Sequence, residues 1–217
     1  MGDIHGCIHT LVSLYRKLYG ISQLYSVGDI IDRGKYSRQV VQFCIDKNIK
    51  PVKGNHEDMM VKSVERTDKP FNFLSKDKER YYFNGGRETQ DSYNSRRVIS
   101  DFTNFKKEIR SSGHFDYLKS LPLKYEFDKV LISHAGVIGG GNDYTILWNR
   151  KKPAFLNKLQ IYGHTPLEEI EVQANYYANI DTGCVYKNKL TAIVVDTKTG
   201  VIEEIIQENF NSLDLKN

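Results

Sequence analysis

Cysteine is scarce in this chain. Cys7, Cys44 and Cys184 are odd in number, far apart and without a CxxC partner. That spacing argues against a disulfide framework or a zinc–thiolate site and suits reduced, buried thiols. Long apolar runs are missing too: none approaches the roughly 18 residues that span a bilayer, and no signal-peptide pattern precedes Gly2. The expectation is a soluble, cytoplasmic protein with no membrane partner. Charge of one sign is slight. The formal net charge of +4 is dispersed, and no basic stripe runs beside interleaved aromatics, so nucleic acid is not an expected partner. There is no internal repeat and no low-complexity tract. What is present is 40% hydrophobic and 12% aromatic residues over 217 positions, enough for one large domain with a buried core.

Five short segments each pair a metal-binding side chain with a glycine turn: Gly-Asp-Ile-His-Gly (2–6), Gly-Asp-Ile-Ile-Asp-Arg-Gly (28–34), Lys-Gly-Asn-His-Glu (53–57), Ser-His-Ala-Gly (133–136) and Tyr-Gly-His-Thr (162–165). Carboxylate, amide and imidazole donors together suit borderline divalent cations, not copper or an all-oxygen calcium cage. Asp3 and His5, two apart on an extended segment, point to one side. Asp29 is placed to bridge two cations and Asp32 is free for another partner. Arg33 offers a planar fork matched to phosphate oxygens. Asn55 adds an amide oxygen, and His56 can give a proton to a leaving oxygen. His134 and His164 each sit beside a glycine after an apolar strand. The set points to phosphoester hydrolysis. His9 opens a helix and His114 sits in a polar stretch, so neither is expected at the site.

The segments fall where strands yield to turns or helices. Leu11, Leu14, Tyr15 and Leu18 recur at helical spacing before Gly20; Val40, Val41, Cys44 and Ile45 mark a second helix. Strands are expected over 24–27, 49–52, 123–127 and 130–132, with a hairpin of 190–195 and 201–206 around Asp196-Thr-Lys-Thr-Gly. Strand ends are where open α/β sheets gather ligands. Residues 66–121, rich in Lys, Arg, Tyr and Phe, read as a mostly helical cap inserted in the single domain 1–217, and the tail after Asn209 as frayed.

Taken together, GDIHG, GDIIDRG, KGNHE, SHAG and YGHT resemble the PPP family of metal-dependent phosphoesterases, in particular its bacterial and phage serine/threonine phosphatase branch. The symmetrical diadenosine tetraphosphatases are close relatives of that branch. The match covers roughly 2–60 and 125–195; in the cap, NGGRET (84–89) is also similar to bacterial members. The resemblance implies a calcineurin-like α/β metallophosphoesterase sandwich, two mixed β-sheets flanked by helices. It implies that Asp3, His5 and Asp29 hold one metal, and that Asp29, Asn55, His134 and His164 hold the other. Asp32 would orient His56 and keep it protonated. Arg33, Asn55 and Arg150 would grip phosphoryl oxygens. Manganese is the expected cofactor, with iron or zinc as alternatives, and a hydroxide bridging the two ions would attack phosphorus directly. One departure stands out. Only Met1 precedes Gly2, where the family carries an apolar strand, so a gap in a sheet and unpaired backbone beside Asp3 are expected unless the true start lies upstream or a neighbouring segment fills the slot.

Asp32-Arg33 favours phosphomonoesters, phosphoserine and phosphothreonine in proteins or peptides or similar small phosphoesters, because the tetraphosphatase branch typically reads Ala-Arg there. The alternative is a hydrolase of dinucleoside polyphosphates or short polyphosphate, served by Lys76, Lys78, Arg80 and Arg87, with Tyr81, Tyr82 or Phe83 stacking a base. A non-catalytic sensor of phosphate or metal is the reading from another class; the filled ligand positions speak against it.

Overall fold

Strand and helix alternate through the first third of the computed structural model, which describes residues 1–65, 76–94, 101–140 and 142–215, with the backbone alone at 143. α1 (Ile8–Lys17) leads to β1 (Tyr25–Ser26), then α2 (Ser37–Asp46), β2 (Lys50–Pro51) and α3 (Asn55–Glu65). β1 and β2 are parallel, so each crossover returns the chain to the same end of the sheet. The two strands are short because Gly28 and Gly54 break them at once. Gly28 takes φ 94°, and a side chain there would lie 2.7 Å from the Gly54 nitrogen.

Four helices follow: α4 (Lys76–Phe83), α5 (Gly86–Ser92), α6 (Phe102–Ser111) and α7 (His114–Ser120). Phe102, Phe105 and Ile109 repeat at helical spacing and are buried on one face of α6. These helices share one apolar core with α1, α2 and α3, built from Leu11, Leu14, Val40, Met60, Tyr81, Phe105 and Leu118 among others. Residues 66–75 and 95–100 of the expected cap lie outside the described residues.

The last part is strand-rich. β3 (Lys124–Glu126), β4 (Val130–Ser133), β5 (Leu159–Tyr162), β6 (Glu171–Gln173) and β7 (Tyr177–Asn179) form a mixed sheet of order β3-β4-β5-β7-β6; α8 (Asp143–Trp148) lies between β4 and β5. β8 (Lys189–Val195) and β9 (Ile202–Asn209) make the expected hairpin. A second apolar cluster, including Val27, Val52, Val130, Ile132, Leu159, Ile161 and Ile180, packs between the sheets. No helix among the described residues is long and apolar enough to cross a membrane.

Two expectations are corrected. The backbone beside Asp3 is paired on both sides. Met1 donates to Tyr25 O at 2.8 Å and accepts from Val27 N at 3.0 Å, and Gly2 donates to Thr191 O at 2.8 Å. Met1 and Gly2 thus join the parallel β1-β2 pair to the β8-β9 hairpin in one mixed layer. A cavity of about 580 Å³ adjoins Met1, lined by Leu24, Tyr25, Val194 and Val195.

The tail is not frayed either, up to Leu215. A 3-10 turn over Ser212–Leu215 buries Asp214. Its carboxylate accepts from His9 N at 2.8 Å, Thr10 N at 3.0 Å and Thr10 Oγ1 at 2.7 Å. α1 has no side-chain cap of its own, so a residue far along the chain satisfies its first-turn amides. Asp214→Ala is expected to lower stability by about 1–2 kcal/mol, read as a shift in the urea midpoint. An unmoved midpoint would show that water replaces the cap at no cost.

Candidate metal centre

All five glycine-flanked segments arrive at the same end of the two sheets, and their backbones are bent to do so. Among the described residues, five of the nine non-glycine positions with positive φ are site residues: His5 (45°), Asp29 (48°), Asp32 (70°), Arg33 (66°) and His164 (70°). Left-handed backbone is costly for such residues, and its concentration here marks a site held against local preference.

Asp29 stands in the middle. Its Oδ2 lies 3.6 Å from His5 Nε2, 3.8 Å from His56 Nε2 and 3.4 Å from His134 Nε2. Two candidate cation groups share it: His5, Asp29 and His56, and Asp29, His134 and His164, all buried. Asp3 is buried beside them, with its Oδ2 accepting from His164 N at 3.2 Å. Burial pushes its carboxyl well up, the charges of Asp181 and Asp29 adding to the effect. The geometry therefore groups His56, not Asp3, with His5 and Asp29, while Asp3 contacts the His164 turn.

The hydrogen bonds fix which ring atoms face inward. A carbonyl only accepts, so His5 Nδ1, 2.8 Å from Ile31 O, and His134 Nδ1, 2.8 Å from Val27 O, must carry protons. Their Nε2 lone pairs then point into the site. His134 Nε2 lies 2.7 Å from Asn55 Oδ1 and 3.1 Å from His164 Nδ1, and that nitrogen lies 2.9 Å from the same Asn55 oxygen. Burial lowers both imidazoles to about 3, so they are neutral at pH 7. The His134 Nε2 lone pair, facing an amide oxygen at 2.7 Å, is repelled unless a cation lies between them. This donor set fits divalent metals, with backbone carbonyls orienting the imidazoles from behind.

His56 Nδ1 lies 2.7 Å from Asp32 Oδ2. Burial lowers the imidazole to about 4 and pushes the Asp32 carboxyl well above its usual range. Asp32 orients His56 as expected, but burial opposes the expected imidazolium. A buried pair favours net neutrality, which leaves one proton in the contact, displaced toward Asp32, and one on Nε2. His56 Nε2 is buried with no hydrogen-bond partner among the described residues.

Arg33 Nη1 lies 2.7 Å from His5 Nε2. Arg150 is exposed, close enough to His164 for its charge to oppose protonation of that ring. His114, left aside on sequence, bonds Tyr93 and Gln42 instead. Of the expected base-stacking residues, Tyr81 is fully buried, Tyr82 donates to Gln90 Oε1 and packs on Phe102, and Phe83 is exposed.

Residues 1–195 match the family of calcineurin-like phosphoesterases. The chain belongs to that family. It is 27% identical to an asymmetrical bis(5'-nucleosyl)-tetraphosphatase PrpE of Anoxybacillus flavithermus, over 89% of this chain and 88% of the relative. With the protein of the same name from Oceanobacillus iheyensis it shares 29% identity, over 100% and 97%. A metallophosphoesterase from Sphaerobacter thermophilus superposes with a TM-score of 0.61 at 16% identity, over 99% of this chain and 88% of that one. A solved structure described as a candidate diadenosine tetraphosphatase gives 0.67 at 19% identity, over 97% and 91%. These two show the fold, the expected α/β sandwich. The serine/threonine branch finds no support among these relatives. Asp32, taken as the mark of that branch, is fully buried against His56 and Thr89. It serves the histidine and says little about the substrate.

Four residues of this phosphoesterase's site escaped the sequence reading. Glu57 is buried beneath Asp29; its Oε2 accepts from Gly54 N at 2.8 Å and Asp29 N at 3.0 Å, and its Oε1 from Ile30 N at 2.9 Å. Burial, aided by the Asp29 charge, pushes Glu57 up to about 8, while these amides pull it back. Thr89 donates to Asp32 Oδ1 at 2.6 Å, and Gly85 O accepts from Arg33 N at 3.0 Å, so the NGGRET segment clamps the Asp32-Arg33 turn. Asp181, raised to about 6 chiefly by burial, adds charge beside Asp3. The NGGRET resemblance was the one available signal; the other contacts run through backbone amides that no spacing rule reports.

Proposed function

We propose that this phosphoesterase hydrolyses dinucleoside polyphosphates, diadenosine tetraphosphate among them, at a centre of two divalent cations. The observation that carries the chemistry is the position of the Asp29 carboxylate between His5 and His134, each with its Nε2 turned toward the site. The substrate class is supported by the two tetraphosphatases that align along nearly the whole chain. Asp3, His5 and Asp29 would hold one ion, and Asp29, Asn55, His134 and His164 the other; manganese suits the mixed oxygen and nitrogen donors. When bound, the ions supply Lewis acidity toward phosphoryl oxygens and lower the pKa of water.

The chain's own residues do the rest. Arg33 and Arg150 bind equatorial oxygens and favour the charge that builds on them in the transition state. Asn55 orients the phosphoryl group. His56, held by Asp32, presents its Nε2 proton to the departing oxygen. Burial of His5, Asp29, His134 and Asn55 keeps bulk water from competing for these contacts.

A panel on manganese-loaded protein tests the reading: diadenosine tetraphosphate, a phosphothreonine peptide and p-nitrophenyl phosphate. The expected result is a kcat/KM for diadenosine tetraphosphate at least about tenfold above the peptide's, roughly the discrimination of one well-made contact. A peptide preference of that size would return the protein to the phosphatase reading.

A further inference from the structure

Of the expected base-stacking residues, Tyr81 and Tyr82 are spent on other contacts, and a different planar surface stands at the rim of the site. α8 is tied to the His134 loop: Ala135 N donates to Ile146 O at 2.9 Å, and Asn149 Nδ2 donates to Ala135 O at 3.2 Å. Tyr144 and Trp148, one helical turn apart on α8, therefore sit on the same side of the helix. Their rings are nearly parallel, 22° apart with centroids at 6.2 Å. The indole edge meets His164 at 5.8 Å and 84°. From the helical part, the Arg80 guanidinium lies 4.2 Å from the Trp148 centroid. The array runs outward from a candidate metal ligand to a Tyr144 ring that is 58% exposed. Arg80 is exposed as well.

We infer that Trp148, Tyr144 and Arg80 form the wall on which a nucleobase of the substrate stacks. Resting on the dinucleoside polyphosphate reading, this names the part of the protein that tells a nucleotide from a bare phosphate chain. Aromatic rings and guanidinium planes are the groups on which bases stack without sequence demands. Arg150, two residues beyond Trp148, would take up phosphate at the foot of the wall. The wall joins α8 of the sheet region to α4 of the helical region, so base binding draws the two together.

Trp148 is the only tryptophan of the chain, so its fluorescence reports the wall directly. The test titrates manganese-loaded protein with a methylene-bridged, non-hydrolysable analogue of diadenosine tetraphosphate and, separately, with tripolyphosphate. The analogue should quench the emission saturably; tripolyphosphate should not. In turnover, Tyr144→Ala and Arg80→Ala should each raise KM for diadenosine tetraphosphate about tenfold with kcat little changed, and Tyr144→Ala, which removes no charge, should leave KM for tripolyphosphate within about twofold. If diadenosine tetraphosphate is hydrolysed but the emission is unmoved and both variants keep the parent KM, the wall is overturned and the hydrolase reading stands. If p-nitrophenyl phosphate is hydrolysed and diadenosine tetraphosphate is not, the dinucleoside polyphosphate reading falls and the wall falls with it.

Discussion

His56→Asn lowers turnover of an alkyl phosphate by about a hundredfold or more while leaving metal content unchanged. The imidazole is fully buried, its Nδ1 is occupied by Asp32 at 2.7 Å, and its Nε2 has no hydrogen-bond partner among the described residues. A buried ring atom left unpaired is costly in stability. Proton transfer to a leaving oxygen gives that atom a task, and the loss should scale with the basicity of that oxygen. An alkoxide needs the proton most, p-nitrophenolate much less, and the released phosphate of a dinucleoside polyphosphate lies nearer the second case. The measurement is kcat for a series of leaving groups in the parent and the variant, with metal content of both by elemental analysis. A loss equal for every leaving group would remove His56 as a proton donor. A loss of metal would make it a ligand, the role its place beside His5 and Asp29 also allows.

Gly54→Ala should be as damaging from a position that carries no chemistry at all. A side-chain carbon there would lie 2.1 Å from Asp29 Oδ1, 2.5 Å from Asp29 N and 2.7 Å from Glu57 Oε2. Two of those atoms belong to the residue that both cation groups share, and the third to the carboxylate that holds its backbone. None is the free end of a flexible chain, so the Asp29 loop must move. Since a displacement of about 1 Å at a catalytic centre costs on the order of a hundredfold in rate, a loss of at least that size is expected. Manganese affinity should fall with it, because the shared carboxylate leaves its place. Titration calorimetry with manganese and kcat/KM on p-nitrophenyl phosphate read the two effects. Full affinity with normal turnover would mean that the loop is far softer than its hydrogen bonds imply. Gly163 offers the same experiment at the other side, where a side-chain carbon would fall 2.1 Å from Asp3 Oδ1.

These two glycines show how far the sequence could be read. A ligand beside a glycine in each of five segments is a local pattern, and local patterns survive folding: His5, Asp29, Asn55, His56, His134 and His164 do converge. Helical spacing likewise placed α1 and α2, whose apolar faces are set by their own residues. What stayed hidden depends on partners far away in the chain. Asp214 caps α1 from the opposite terminus, and Thr89 reaches Asp32 from the helical region. Glu57 is part of a motif that was read, but its work is to accept backbone amides of the Asp29 loop, which no side-chain pattern announces. β6 and β7 escaped notice because each is three residues long and β6 is wholly exposed. Asp32 is legible in part: its bond to His56 is as the resemblance implies, while its pairing with Arg33, taken as a sign of substrate preference, finds no support among the relatives.

The most direct measurement is anomalous diffraction from crystals soaked in manganese. The account predicts two peaks per chain, one on each side of the Asp29 carboxylate, the first beside His5 and the second among Asn55, His134 and His164. A single peak remote from Asp29, or none in crystals of protein that hydrolyses phosphoesters, would contradict it.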